Sequence, residues 1–583
     1  MGSAASLPPQ ATQVSFSKAD FEELLHVVDT SQKNVKEALG KAGIALGEAP
    51  KQQPAPSAAS IGLEQEAWRS GKLSVTVLGA TGDLAKKETF PALLDLFAHD
   101  YLQHEAVIVG FARKSMTTED FRAYLSEALA KSHVCQDMPE VRDSIPAFLK
   151  KVHYCAGAYD SVEAMTELDK LLTVEEERFH LDDNDAPKKQ SFRIFYFAIP
   201  PFVFQGAAKA IKEVAMAKDG STRLIIEKPF GHDLTSAQEL QEGLSALFKE
   251  EEIYRMDHFL GYEICQNILS VRFGNQFLEP LMNNKHVAAV RVTLKEDFGT
   301  EGRGGYFTKY GIIRDVIQNH LLQMLCLVAM ERPGDMDWEA DVRDRKVELL
   351  KAMEPFDPSS VVLGQYVGAK GKPGYLEDDS ITEADRDMAK KCPTFCQMVV
   401  RINNERWQGV NFIVRAGKAI DECKCEIRVQ FKEAEGCGKL FGEQYPARNE
   451  LVLRVSPGEA IYMKMSVKSP GLSKQLMQSE MDLSYSVRYP GIYCPSAYTR
   501  LILAGIRGQS ESFVRDDELM RSWELFTPFL EKIADWQPKP YPYGSRGPAV
   551  ADEALELYGY QKPEGYCWRP PHQPPALTRL MTR

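Results

Sequence analysis

Leu73-Ser74-Val75-Thr76-Val77-Leu78-Gly79-Ala80-Thr81-Gly82-Asp83-Leu84 decides the fold. A short β run meets two glycines. From 83 to 97, apolar residues then recur at helical spacing, at Leu84, Phe90, Leu93, Leu94 and Phe97. Strand, glycine turn and helix in this order open a dinucleotide-binding domain. The glycines let the backbone approach a pyrophosphate, and the helix start offers it free N–H groups. Gly79, Ala80, Thr81, Gly82, Asp83 and Leu84 are therefore the candidate cofactor loop. The spacing is Gly-x-x-Gly-Asp rather than the full Gly-x-Gly-x-x-Gly, so the turn has to be read with its neighbours.

The next strand, 106–112, ends in Arg113-Lys114-Ser115. An acid at this point accepts from the 2′-hydroxyl of NAD, whereas a base accommodates the 2′-phosphate of NADP. Arg113 and Lys114 thus point to NADP. Strands over 192–199 and 224–231 follow, the second turning at Lys228-Pro229. Ligands in open α/β sheets sit at the carboxyl ends of strands, which puts Lys228 beside cofactor or substrate. After a helix over 236–250 comes Arg255-Met256-Asp257-His258-Phe259-Leu260-Gly261-Tyr262-Glu263. It sets two carboxylates and an imidazole at a seam between domains, where ligand sites often form.

Beyond Glu263 the pattern changes. A strand over 287–294 leads to Lys295-Glu296-Asp297, and a loop with Gly299, Gly302, Gly304 and Gly305 follows. The helix predicted over 311–320 puts Arg314, Gln318 and Leu321 near one face and Asp315 and Asn319 near the next. β runs at 397–402, 409–414, 426–431, 450–455 and 460–467 predict an antiparallel sheet with helices on one face, leaving the other for a partner subunit. The expected division is a flexible extension with short helices at 1–70, an α/β Rossmann-like domain at 71–260, an α+β substrate and oligomerisation domain at 261–570, and a tail at 571–583. The extension carries an amphipathic pattern over 16–46 and a low-complexity linker over 49–60.

With 583 residues, 44% apolar and 26% charged, the composition is that of a soluble globular chain. A net charge of -12 excludes a basic nucleic-acid face. Eleven thinly spread cysteines form no paired zinc motif, so free thiols in a reducing, cytoplasmic compartment and no metal are expected. No apolar run reaches the length of a membrane span; the longest, 320–330, is interrupted by Gln323. Met1-Gly2-Ser3-Ala4-Ala5-Ser6 matches a myristoylation pattern, but no second anchoring signal follows.

Seven ordered motifs make residues 71–570 resemble the glucose-6-phosphate dehydrogenase family: Gly79 to Lys87, Glu227-Lys228-Pro229-Phe230-Gly231, Arg255 to Gly261, Gly299 to Phe307, Arg314 to His320, Arg415-Ala416-Gly417-Lys418-Ala419 and Tyr543 to Pro548. The resemblance implies oxidation of glucose 6-phosphate at C1 by NADP+, the first step of the oxidative pentose phosphate pathway, in a homodimer or homotetramer. It implies His320 as base and Asp257 as the residue that orients it. It places Lys228, His258, Tyr262, Glu296, Asp315 and Lys418 on the substrate. Gly79 to Leu84, Arg113 and Lys228 would hold the cofactor. A second, structural NADP would lie on Arg415, Lys424, Arg428, Arg454, Tyr462, Lys464, Asp482, Tyr543 and Trp568.

The departures from the family pattern matter. Phe259 stands for a usual Tyr, Tyr262 for a Lys on the phosphate, and Glu88 for a Lys. Cys423, Ser456, Phe204 and Glu524 also replace usual residues. The expected consequence is weakened binding of the substrate phosphate. Two other readings stay open from the residues: an NADP-dependent dehydrogenase of an unphosphorylated sugar, and an NADP-binding homologue acting as a subunit or regulator.

Overall fold

Strands buried on both faces read as unbroken apolar runs, which is what the first half of the chain supplies. β1 (Lys72–Leu78), β2 (Val107–Ala112), β3 (Val152–Ala156), β4 (Ser191–Phe197), β5 (Gly220–Glu227) and β6 (Ile253–Met256) form an all-parallel sheet in the order β3-β2-β1-β4-β5-β6. Our computed structural model describes residues 56–57, 61–102, 106–178, 190–334, 337–435, 440–441, 444–472 and 474–562. Apart from 490–492, these fall in one compact unit. The strand order reverses between β1 and β4, the switch point at which doubly wound sheets open a crevice. Gly79 lines that crevice with φ 84°, and a Cβ there would lie 2.1 Å from the Ala198 carbonyl oxygen. No other residue type fits so close to the β4 backbone.

The second sheet has nine described strands: β7 (Val287–Lys295), β8 (Val362–Val367), β9 (Phe395–Arg401), β10 (Asn411–Gly417), β11 (Lys424–Phe431), β12 (Glu450–Ser456), β13 (Ala460–Lys468), β14 (Leu476–Ser484) and β15 (Lys539–Pro542). Their order is β14-β13-β12-β11-β7-β10-β9-β8-β15. It is mostly antiparallel, as expected, but β7 pairs parallel with β10 and β15 with β8. Parallel neighbours need a long crossover. Here the helices and strands between 296 and 410 supply it for β7 and β10.

One helical run, Gly304–Ala329, is long and apolar enough by composition to cross a membrane, and 83% of that apolar stretch is buried within the protein. The expectation of an interrupted, shorter run is corrected. It is a core helix: Ile313, Val316, Ile317 and Leu321 share an apolar cluster with Val290, Val292, Leu294, Ile427 and Val429 of the sheet. It bends at Gly311, where φ is 63°.

Two boundaries differ from the expected division. The helix Ala497–Arg507 returns to the first sheet, its Leu501, Ile502 and Ile506 packing with Val75, Val77 and Ile225. Periodicity finds such a helix but not which sheet it joins. Most of the expected extension, with the patterned 16–46 region and Gly2, lies outside the described residues, as does the tail 571–583. Its last ten residues, 61–70, belong to the fold: Leu63 and Trp68 are buried, and Glu66 accepts from Arg507 Nε at 2.7 Å. Trp68→Ala should lower unfolding stability by about 3–5 kcal/mol, read by urea denaturation of the full chain.

Candidate active site

Three chain segments converge at the carboxyl ends of β5 and β6. Asp257 follows β6 and caps the 3-10 turn His258–Gly261, its Oδ1 accepting from Phe259 N at 3.0 Å. A short carboxylate suits that cap. The same Oδ1 lies 2.5 Å from His320 Nδ1, which arrives from the core helix. Lys228, at the end of β5, puts Nζ 2.8 Å from His320 Nε2 and donates to the Asp315 carbonyl oxygen at 2.8 Å. The Asp315 carboxylate is 3.7 Å from the same Nζ.

The expectation that Asp315 sits on an ordinary helical face is corrected. Residues Ile313–Leu321 are wound as a π-helix. In an α-helix, residues five apart point about 140° from one another. The i→i+5 winding brings them back to one side, so Lys228 reaches both Asp315 and His320.

Lysine only donates, so His320 Nε2 must be the acceptor. The imidazole is then neutral, with its proton on Nδ1 towards Asp257. Burial pushes the Asp257 carboxyl up, but His320 above all outweighs it and holds it at about 2. Burial lowers His320 as well, and the Lys228 cation adds to this against the pull of Asp257. Burial and then His320 hold His258 well below the usual imidazole range. Asp257, His258 and His320 offer ligand atoms all within 4.8 Å of one another. With an ammonium on His320 Nε2, a cation on these three groups would meet like charge.

The parallel β7/β10 pair brings Glu296 and Lys418 out side by side, where they form an ion pair. Burial works against the Lys418 charge, but Glu296 and Asp315 more than offset it and raise its affinity for the proton. Phe298 and Phe307 lie under its ammonium, 5.6 and 5.3 Å from ring centre to Nζ.

On the other flank, Phe259 stacks on His320 with centroids 4.2 Å apart and rings 17° from parallel. Tyr498 stacks on His258 at 5.7 Å and 15°. Tyr262 lies edge-on to Phe259 at 5.1 Å. Sequence reading missed Tyr498 because it belongs to the helix that returns to the first sheet. It also missed Glu227, which accepts from Tyr196 and is pushed up to about 7, chiefly by burial. Burial raises Glu88 too, and that carboxyl is felt by both Tyr262 and Tyr498.

The residues present fit a dinucleotide. Gly79 to Leu84 turn tightly at the end of β1, where a Cβ at 79 would collide with the Ala198 backbone, and Gly82 N closes the turn on Gly79 O at 2.8 Å. Asp83 is exposed and pairs with Lys86 at 3.2 Å. Arg113 is exposed just past β2, 6.0 Å over the Tyr159 ring. β1 and β2 are parallel neighbours, so loop and cation leave the sheet on one edge.

The other expected group gathers on the second sheet. Lys424, Arg428, Arg454, Tyr462 and Lys464 lie on β11, β12 and β13, and Asp482 pairs with Tyr462 across β14. Arg428 donates to Glu426, to Glu450 at 2.8 Å and to Tyr462 Oη at 3.2 Å, while Lys464 pairs with Glu450 at 2.9 Å. Arg415 pairs with Asp552 at 2.8 Å. Tyr543 has another neighbourhood, its ring 5.7 Å from Tyr366 and beside Glu301. Trp568 lies outside the described residues.

Comparison with known proteins places the chain in a family. Residues 76–267 match the family described as "Glucose-6-phosphate dehydrogenase, NAD binding domain" and residues 269–569 its C-terminal domain. A cytoplasmic isoform of glucose-6-phosphate 1-dehydrogenase from Solanum tuberosum is 47% identical over 508 residues, 86% of this chain and 94% of that protein. The Saccharomyces cerevisiae enzyme is 46% identical over 85% of this chain and 95% of its own length. A solved glucose-6-phosphate dehydrogenase in complex with its substrate glucose-6-phosphate superposes with a TM-score of 0.77 at 44% identity, covering 85% of this chain and 99% of that one.

Because the Lys228 ammonium depresses the His320 imidazole, Lys228→Met should raise the pH at which His320 titrates. Histidine-selective NMR of the folded variant reads this; an unmoved or lowered titration would contradict the contact.

Proposed function

The chain belongs to the glucose-6-phosphate dehydrogenase family, and from that premise we propose that it oxidises glucose 6-phosphate at C1 to 6-phosphogluconolactone with NADP+. The observation that carries the reading is the buried Asp257–His320 pair, with Lys228 on its far nitrogen, at the carboxyl edge of the dinucleotide-type sheet. His320 Nε2 takes the proton of the C1 hydroxyl, and a neutral imidazole is the right base for that task. Asp257 keeps the ring in the Nδ1–H tautomer and balances the imidazolium that forms. Lys228 moves from the Nε2 lone pair to substrate oxygen as the hydroxyl arrives. Glu296 and Asp315 accept from sugar hydroxyls, and Lys418 donates to them. Gly79 to Leu84, Arg113 and Lys228 would hold NADP+, which would supply the hydride acceptor.

The phosphate end of the site is assigned to His258 and Tyr262, and there the charge balance is poor for a dianion. His258 is held neutral, Tyr262 carries no charge, and the Glu88 carboxyl acts on both Tyr262 and Tyr498. A hydrogen bond to a charged group contributes roughly 1.5–3 kcal/mol, and about 1.4 kcal/mol is tenfold in affinity. This observation favours a second reading, an NADP-dependent dehydrogenase of an unphosphorylated sugar. NADP+ reduction with glucose and with glucose 6-phosphate separates the two. On the primary reading, Tyr262→Lys should lower KM for glucose 6-phosphate by about tenfold. An unchanged KM would remove position 262 from the phosphate site.

The outer face of the second sheet is proposed to take a second NADP on Arg415, Lys424, Arg428, Arg454, Tyr462, Lys464, Asp482, Tyr543 and Trp568. Glu422, Glu426, Glu450 and Asp552 already pair with its cations, so a dinucleotide there shares them. Denaturing the purified protein should release NADP into the filtrate; none released would overturn the second site. A homodimer or homotetramer in the cytoplasm completes the proposal, in line with the cytoplasmic isoforms among the relatives.

A further inference from the structure

Behind the Asp257–His320 pair lies a small cavity that the reaction does not use. Its lining includes Lys228, Asp257, Gln318, Gln323, Glu518 and Ser522. About 20 Å³ of it is open to the centre of a water molecule, enough for one water. Asp257 is 2% exposed. Its Oδ1 already serves His320 and Phe259, while its Oδ2 has no hydrogen-bond partner among the described residues. A buried ionised oxygen without a donor is costly, so a donor is to be expected there.

The charges around the cavity decide what that donor is. Glu518 takes Lys346 at 3.0 Å and Gln323 Nε2 at 2.6 Å, so it is matched. Lys346 also donates to Gln323 Oε1 at 2.9 Å. Lys228 adds to the pull of His320 on the Asp257 charge and is shared with the Asp315 carboxylate, 3.7 Å away. Asp257 and Glu518, the two carboxylates of the lining, each have an ammonium close by, Lys228 and Lys346, so a further cation in the cavity would meet like charge. Polar groups remain: Gln318 Nε2 donates to Ser522 Oγ at 2.9 Å, and both residues line the cavity.

We propose that this cavity binds one water molecule that donates to Asp257 Oδ2, and that Ser522 and Gln318 hold it there as positioning residues for the Asp257–His320 pair. The water spreads the carboxylate charge over both oxygens and fixes the plane of the group, and with it the imidazole. The positioning role rests on the proposed reaction; the water site does not.

A crystal structure of the full chain, at a resolution that shows ordered waters, tests the site directly. One density peak within hydrogen-bond distance of both Asp257 Oδ2 and Ser522 Oγ is expected. A protein donor on Oδ2, an empty cavity, or anomalous signal there after a rubidium soak would overturn it. Ser522→Val and Ser522→Thr, which have the same shape, test the role. Losing the hydroxyl loosens the water, concentrates charge on Oδ1 and strengthens the hold on the His320 proton. Ser522→Val should therefore move the His320 titration, read by NMR, up by about half a unit to one unit. Ser522→Thr should leave it in place. Equal shifts in both variants, or none in either, would refute the positioning role. Normal titration shifts in a protein that reduces no NADP+ with glucose 6-phosphate would sink the reaction and leave the water site standing.

Discussion

A carboxylate and an imidazole, both out of water and joined through Asp257 Oδ1 and His320 Nδ1, are the constraint around which the rest is arranged. Burying such a pair is favourable only if each partner is held in geometry and charge. The first sheet holds the acid by capping a turn at the end of β6. The core helix holds the imidazole, and Lys228 at the end of β5 occupies its second nitrogen. The pair joins the parallel-sheet half of the chain to the core helix of the second half, so the two must keep their spacing for it to form.

Two irregularities supply the geometry. The π winding of Ile313–Leu321 turns Asp315 and His320 onto one side, where one ammonium meets both. The parallel pairing of β7 and β10 within a mostly antiparallel sheet sets Glu296 beside Lys418. An ideal helix or a fully antiparallel sheet would separate these groups. The local regularity given up is recovered in the placement of polar side chains towards a single pocket.

The aromatic wall shows what the family departures preserve and what they change. Phe259 retains a ring stacked on His320, which helps to hold the orientation of the imidazole. Without a hydroxyl at 259 and a cation at 262, the flank that includes Tyr498 and His258 is held by stacking and burial rather than by charge. Glu88 adds a carboxyl to that neighbourhood. On the proposed mechanism, the same substitutions spare the Asp257–His320 pair and change the charge at the phosphate end.

The sequence by itself determined the elements and the chemical inventory. Period-two and period-3.6 patterns, glycines at Gly79 and Gly82, and Arg113 after the second strand are local signals, and local sterics and burial write them directly into the chain. Asp257, His320 and Lys228 were legible through motifs. Tertiary structure alone decided which groups meet. Tyr498 reaches His258 because the helix Ala497–Arg507 folds back on the first sheet, and residues 61–70 join the core through Trp68. The π turn, the parallel β7/β10 pair and the cavity behind Asp257 left no local mark either. Each arises from packing between segments far apart in the chain, where the cost of irregular backbone is offset by contacts that no window of sequence contains.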